Sequence, residues 1–162
     1  MSLALYRIDD RLIHGQVVLG WGQPLNAGFI VLVDEVIAGS EWERELYQMA
    51  VPPDVDVYFH SASELIDAIE RYRSDPRTGI LVTGDVDTMR ALADAGVVPA
   101  VNVGGVHHRP DRRQCLRYVF LSPEEEAALR EIAARGIPVT AQDVPSARAV
   151  PLDELLTVGI AQ

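Results

Sequence analysis

The chain has 162 residues, of which 48% are hydrophobic and 23% are charged, a composition typical of a globular protein and not of a disordered one. Acidic residues outnumber basic residues by 24 to 14, and the net charge of −10 argues against nonspecific binding to nucleic acid or to an anionic membrane. All 14 basic residues are arginines, which excludes lysine Schiff-base chemistry and a P-loop lysine, and the single cysteine excludes an intrachain disulfide. Because the first residues lack a signal-peptide pattern and no apolar run is long enough to span a membrane, we expect one cytoplasmic domain over 1–162.

Short apolar runs alternate along the chain with segments that carry helix signals. Several runs are almost continuously apolar, which is typical of strands that are buried on both faces of a parallel sheet. The predicted strands are residues 3–8, 29–33, 55–59, 80–83, 100–103, 118–121 and 137–140. The alternation predicts an α/β fold, with an open, mostly parallel twisted sheet of about seven strands and helices on both faces.

The starts of several helices are marked by capping residues. Ser40 is followed by Glu43, and Ser61 by Glu64, which is the spacing of a capping box. Asp85 has the residue type that caps a third helix, which we expect to end near a glycine. These three signals lie between predicted strands, as the alternation requires.

Further segments complete the predicted order of elements. Residues 122–125 (SPEE) combine a cap, a first-turn proline and acidic residues, and the helix they begin is expected to stop at Gly136. Residues 15–23 are expected to be helical, and a short helix is predicted near 152–156. The apolar residues of 104–113 (GGVHHRPDRR) show neither the spacing of a helix nor that of a strand, so we predict a loop there.

The first strand-to-helix turn carries more functional side chains than a connection needs. Residues 9–16 (DDRLIHGQ) hold two carboxylates, an arginine, a histidine and a glutamine, and Arg7 precedes them. Ligands of open α/β sheets bind at such turns, and the free N–H groups of a helix start favour an anion. An imidazole can carry a phosphoryl group while arginines bind its oxygens. The residue types alone leave two interpretations open: a phosphohistidine site, or a solvated loop whose Asp–Arg pairs fix its shape.

The sequence RIDDRLIHGQV at residues 7–17 resembles the signature of the mannose/fructose/sorbose-family IIB components of the bacterial phosphotransferase system. The resemblance extends over nearly the whole chain, and the C-terminal half matches more by pattern than by motif. The weaker matches occur in the family's order: Trp21, VLVDEVIA at 31–38, MAVP at 49–52 and NVGG at 102–105.

The resemblance implies a cytoplasmic phosphocarrier, membrane-associated through its partners, with a mostly parallel, helix-covered sheet. In this family a histidine of the first loop accepts a phosphoryl group from a IIA domain. It passes the group to a hexose that enters through the membrane components IIC and IID. The implied activity is that of a protein-N(π)-phosphohistidine–sugar phosphotransferase component, which needs no metal or organic cofactor.

The family's functional residues map onto the first loop. The nucleophile falls on His14, and the phosphate-binding arginine falls on Arg11. The residues implied to support them or to bind phosphate are Arg7, Asp9, Asp10, Gly15 and Gln16. Two other functions would use the same residues: a regulatory phosphohistidine signalling module without sugar transport, and a noncatalytic anion-binding domain.

Four further residues are expected at the rim of this site because they follow predicted strands: Asp34, Arg109, Arg112 and Arg113. Since the chain carries a net charge of −10, a locally basic loop would help to capture a phosphorylated donor. Alternatively, these arginines pair with Asp111 and with the acids around Glu124 and stabilise the fold locally. His107 and His108 are adjacent, so they project differently, and no metal site is predicted.

Overall fold

The computed structural model describes residues 2–158. Within that range, the strands are β1 Leu3–Ile8, β2 Ala27–Val33, β3 Asp56–His60, β4 Thr78–Thr83, β5 Val101–Val103, β6 Arg113–Leu116, β7 Val119–Leu121, β8 Val139–Ala141 and β9 Val150–Pro151. The helices are α1 Gly22–Leu25, α2 Glu35–Ala38, α3 Glu41–Met49, α4 Ala62–Arg73, α5 Val86–Asp94, α6 Pro123–Ala134 and α7 Leu152–Val158. A π-helical segment, Gln16–Trp21, leads directly into α1. None of the helices in the described range has the length and apolar character needed to span a membrane.

Seven strands form one sheet in the order β3-β2-β4-β1-β5-β8-β9, and only β9 is antiparallel to its neighbour. This confirms the predicted α/β architecture. One assignment is wrong: the strand predicted at 118–121 does not join the sheet, because β7 pairs with β6 in a separate antiparallel hairpin. A parallel neighbour needs a long crossover, whereas only residues 117–118 connect β6 to β7. The seventh strand of the sheet is β9.

The central strands are buried on both faces of the sheet. Along β2, Phe29, Val31 and Val33 pack into one apolar cluster, while Ile30 and Leu32 pack into the other. Helices α4 to α7 cover the first face, and the π-helical segment with α2 covers the second. The almost continuously apolar sequence of β2 follows from this burial on two sides.

Most of the predicted helix ends are present. The capping box of Ser61 with Glu64 forms, and the Asp85 side chain accepts a hydrogen bond from Thr88 N. Ser40 is the exception, since its side chain makes no capping hydrogen bond. The Ser40 N–H cannot form the second hydrogen bond of that capping box, to the Glu43 side chain, because it donates to the carbonyl of Ile37 in the turn after α2.

Candidate functional site

The first loop, residues 9–15, lies at the carboxyl edge of the sheet where the strand order reverses. Strand β1 has β4, β2 and β3 on one side and β5, β8 and β9 on the other. The Asp9 N–H donates to Thr83 O at 2.9 Å, and the Asp10 N–H donates to Gly105 O at 2.9 Å. The loop is therefore held between the ends of β4 and β5, at the crevice where open α/β sheets bind ligands.

A buried ion pair between Arg7 and Asp9 supports this loop from inside the protein. Arg7 Nη2 lies 3.2 Å from Asp9 Oδ2, and neither side chain is exposed to solvent. Arg7 also donates to Asn102 Oδ1, to the carbonyl of Gln142 at 2.8 Å and to the carbonyl of Asp143 at 3.2 Å. Burial lowers the pKa of the Arg7 guanidinium, and the charge of Asp9 opposes this shift. Since all of its contacts lie inside the protein, Arg7 acts as a support of the loop.

The NVGG segment accommodates the Arg7 side chain. Asn102 accepts a hydrogen bond from Arg7, and a Cβ on Gly104 would overlap the Arg7 guanidinium. A Cβ on Gly105 would lie 3.4 Å from Asp9 Oδ1 and 3.5 Å from Arg11 Nη2. Only a glycine at position 104 leaves room for the buried guanidinium. The segment thus forms a wall of the site.

The Asp9 carboxylate contacts both the buried Arg7 and His14. Asp9 Oδ1 lies 3.2 Å from His14 Nε2, although the two groups are not aligned as a linear hydrogen bond. The same oxygen accepts the backbone N–H of Arg11 at 3.2 Å. Burial raises the pKa of Asp9, but the contact with His14 and the charge of Arg7 outweigh burial and hold it below its ordinary value. Asp9 is therefore ionised at neutral pH.

The two ring nitrogens of His14 have different surroundings. Nδ1 accepts the backbone N–H of Gln16 at 3.3 Å, whereas the buried Nε2 faces the Asp9 carboxylate. These neighbours assign the proton to Nε2 and leave a lone pair on Nδ1. The His14 side chain is 17% exposed. A buried carboxylate also lies beside one imidazole nitrogen in a catalytic triad, where it favours the tautomer with the proton on that nitrogen.

Arg11 lies at the solvent side of the loop. Its side chain is 44% exposed, and its Nη2 donates to Gln16 Oε1 at 2.6 Å. Gln16 Nε2 in turn donates to Asp143 Oδ1 at 2.9 Å.

The Trp21 ring lies over the Arg7 guanidinium, and its Nε1 donates to the Asp143 carbonyl at 3.0 Å. Sequence reasoning missed Asp143, whose only signal is a carboxylate placed shortly after a predicted strand.

Asp10 and Gly15 have separate roles in the loop. The Asp10 carboxylate accepts the backbone N–H of His107 at 2.7 Å and also contacts His107 Nδ1. It therefore joins the first loop to residues 104–112 and does not face His14. Gly15 precedes the π-helical segment, and a Cβ there would meet nothing within 4 Å, so the space beside this backbone is open.

The predicted rim arginines have different environments. Arg112 is 5% exposed and pairs with Glu125 at 2.6 Å, while Arg113 pairs with Glu126 at 3.0 Å. Both side chains are held by acids in the first turn of α6, and none of the hydrogen bonds or ion pairs that they make within the described residues is with the first loop. Arg109 is exposed and makes no ion pair with any residue in the described part of the chain.

Asp34 also lies away from the first loop. Its Oδ1 accepts the N–H groups of Val36 at 2.9 Å and Ile37 at 3.0 Å, so it caps α2. Strand β2, which precedes it, is separated from β1 by β4.

His108 packs edge-on against Phe120. Between residues 2 and 158, no group of three or more His, Cys, Asp and Glu side chains could hold a metal ion.

Known proteins are similar to this chain in both sequence and fold. The family model of the PTS system sorbose subfamily IIB component matches residues 3–161. The sorbose-specific EIIB component of Klebsiella pneumoniae is 30% identical over 147 residues, which is 90% of each chain. The fructose-specific EIIB component of Bacillus subtilis has the same identity and coverage. The crystal structure of the IIBSor domain of the Klebsiella pneumoniae sorbose permease has a TM-score of 0.87 at 28% identity, covering 99% of this chain and 100% of that one. The chain belongs to the sorbose subfamily of phosphotransferase-system IIB components.

Proposed function

We propose that this protein accepts a phosphoryl group on Nδ1 of His14 from a IIA domain in the cytoplasm. It then passes the group to a hexose that enters through the membrane partners IIC and IID. The observation that carries the proposal is the position of Asp9 Oδ1, 3.2 Å from Nε2 of His14, opposite the nitrogen that accepts the Gln16 N–H. This arrangement keeps a lone pair on Nδ1.

The chemistry consists of two transfers. In the first, the Gln16 N–H releases Nδ1, the freed lone pair attacks phosphorus, and the bond from phosphorus to the donor breaks. The proton on Nε2 stays in place, and the ionised Asp9 stabilises the positive charge that the substituted ring acquires. In the second, a sugar hydroxyl oxygen bonds to phosphorus, the Nδ1–phosphorus bond breaks, and the hydroxyl proton is released.

Arg11 is the cation that binds the transferring oxygens. Its guanidinium is partly exposed, and Gln16 and the Asp9 carboxylate hold it beside the loop, with Asp9 Oδ1 3.6 Å from its Nε. A planar guanidinium can bind two phosphoryl oxygens at once and offset their charge. The open space beside Gly15 leaves room for the phosphoryl group. Arg7 contributes indirectly, because its buried ion pair fixes the position of the Asp9 carboxylate and favours its ionised form.

The test is the position and chemistry of the phosphate. Incubation with the phosphotransferase cascade and its cognate IIA is expected to give one acid-labile, base-stable phosphate per chain. His14→Ala should abolish it, whereas the double variant His107→Ala with His108→Ala should keep it. Label that persists on the His14→Ala variant would overturn the assignment. Sugar phosphorylation by membranes that contain the cognate IIC and IID then separates transport from a purely regulatory role.

A further inference from the structure

Asp143 joins three parts of the site from a distant point in the chain. It lies between β8 and β9, and 127 residues separate it from Gln16. Its main-chain carbonyl accepts from Trp21 Nε1 at 3.0 Å and from Arg7 Nη2 at 3.2 Å. Its side-chain Oδ1 accepts from Gln16 Nε2 at 2.9 Å. The backbone is thus anchored independently of the side chain.

The Asp143 carboxylate and the Arg11 guanidinium together fix which way the Gln16 amide faces. An amide has a donor end and an acceptor end, while an ionised carboxylate only accepts hydrogen bonds. Asp143 therefore binds the Nε2 end and turns Oε1 of Gln16 towards Arg11, where it accepts from Nη2 at 2.6 Å. The opposite orientation would set the amide NH₂ against the guanidinium, donor against donor. Asp143 thereby gives Arg11 a fixed acceptor.

We propose that Asp143 is a positioning residue for phosphoryl transfer, acting through Gln16 on Arg11. The inference rests on the proposed function, in which Arg11 binds the phosphoryl oxygens. A half-exposed arginine has many rotamers, and a charge that is held in place before the reaction is worth more than one that must be ordered. The carboxylate holds the cation without touching the phosphoryl group itself.

Arg117 provides a matched control for this role. Its Nη2 lies 3.7 Å from Asp143 Oδ2, and its side chain is 86% exposed. An ion pair as exposed as this one contributes little. Arg117→Ala removes a partner of Asp143 without changing the contact between Asp143 and Gln16, so it should leave the rate of transfer unchanged.

The experiment measures the initial rate of His14 phosphorylation by potassium phosphoramidate, a small donor that needs no protein partner. In this reaction Nδ1 bonds to phosphorus, the phosphorus–nitrogen bond of the donor breaks, and ammonia leaves. Asp143→Ala should slow labelling by about tenfold, because an Arg11 guanidinium that is no longer held in place stabilises the transferring oxygens less well. Asp143→Asn keeps an oxygen that can accept from Gln16, and it should recover most of the rate.

A double-mutant cycle separates positioning from general stability. In an Arg11→Ala background, Asp143→Ala should cause no further slowing, because the cation that it positions is absent. Equal slowing in both backgrounds, or a full rate in Asp143→Ala alone, overturns the positioning role while the proposed function stands. If neither phosphoramidate nor the cascade with its cognate IIA labels the unsubstituted protein at His14, both proposals fail.

Discussion

Asp9→Asn preserves the shape of the side chain but exchanges one acceptor oxygen for an amide NH₂. In the native loop both oxygens face donors, since Oδ2 accepts from Arg7 and Oδ1 accepts from the Arg11 N–H beside His14. Arg7 offers only donors, so we expect the asparagine to keep its oxygen towards Arg7 and to turn its NH₂ towards His14. The imidazole would then carry its lone pair on Nε2 and its proton on Nδ1, against the Gln16 N–H.

Two losses follow from this exchange. The reactive tautomer disappears, and phosphorylation should slow by about 10²–10⁴-fold, the upper value being that of the same substitution in a serine-protease triad. Arg7, which is fully buried, also loses the only ion-pair partner it has among residues 2–158. Removing one member of a buried pair should lower the free energy of unfolding by about 3 kcal/mol.

The assay combines the initial rate of His14 phosphorylation with urea unfolding of the same samples, at a temperature where the variant is folded. Asp10→Asn is the matched control, because the Asp10 carboxylate contacts His107 and not His14. It should slow transfer far less than Asp9→Asn. A folded Asp9→Asn protein that is phosphorylated within about twofold of the native rate would refute the tautomer argument.

Four further predictions concern charged side chains of the first loop and of residues 104–113. Because the pKa of Asp9 is lowered in the folded protein, its stabilising contribution is complete well above its ordinary value of 3.8 and is lost as pH falls below that value; urea unfolding of the native protein and of Asp9→Asn should converge there. Arg11→Lys keeps the charge but loses the planar fork, so it should slow transfer at unchanged stability, and a normal rate would remove Arg11 from the role of phosphate ligand. Arg112→Glu with Arg113→Glu should lower the free energy of unfolding by about 2 kcal/mol by reversing two ion pairs with α6, and the folded variant should keep its transfer rate. Arg109→Glu should instead slow association with an acidic donor at low salt, as stopped-flow transfer would show.

The local features of this protein could be predicted from its sequence because they depend on neighbouring residues. Alternating apolar runs and helix signals predicted the parallel α/β sheet, and the capping box at Ser61 needs only residues three positions apart. The first loop stood out by its residue types, since a simple connection does not require carboxylates, arginine and histidine together. The strand predicted at 118–121 is present as β7, and only its place in the main sheet was wrong, because an apolar pattern alone does not distinguish a hairpin strand from a strand of the sheet.

The function of each side chain in the loop, by contrast, depends on which distant strands lie beside β1. Strand order brings Asn102, Gln142 and Asp143 to Arg7, and the periodicity of apolar residues does not encode that order. Burial encloses Arg7 among protein partners, and the acids of α6 form ion pairs with Arg112 and Arg113. Whether a charge can reach a ligand depends on its burial and on its ion-pair partners, and for Arg7, Arg112 and Arg113 both depend on parts of the chain that the fold alone brings together.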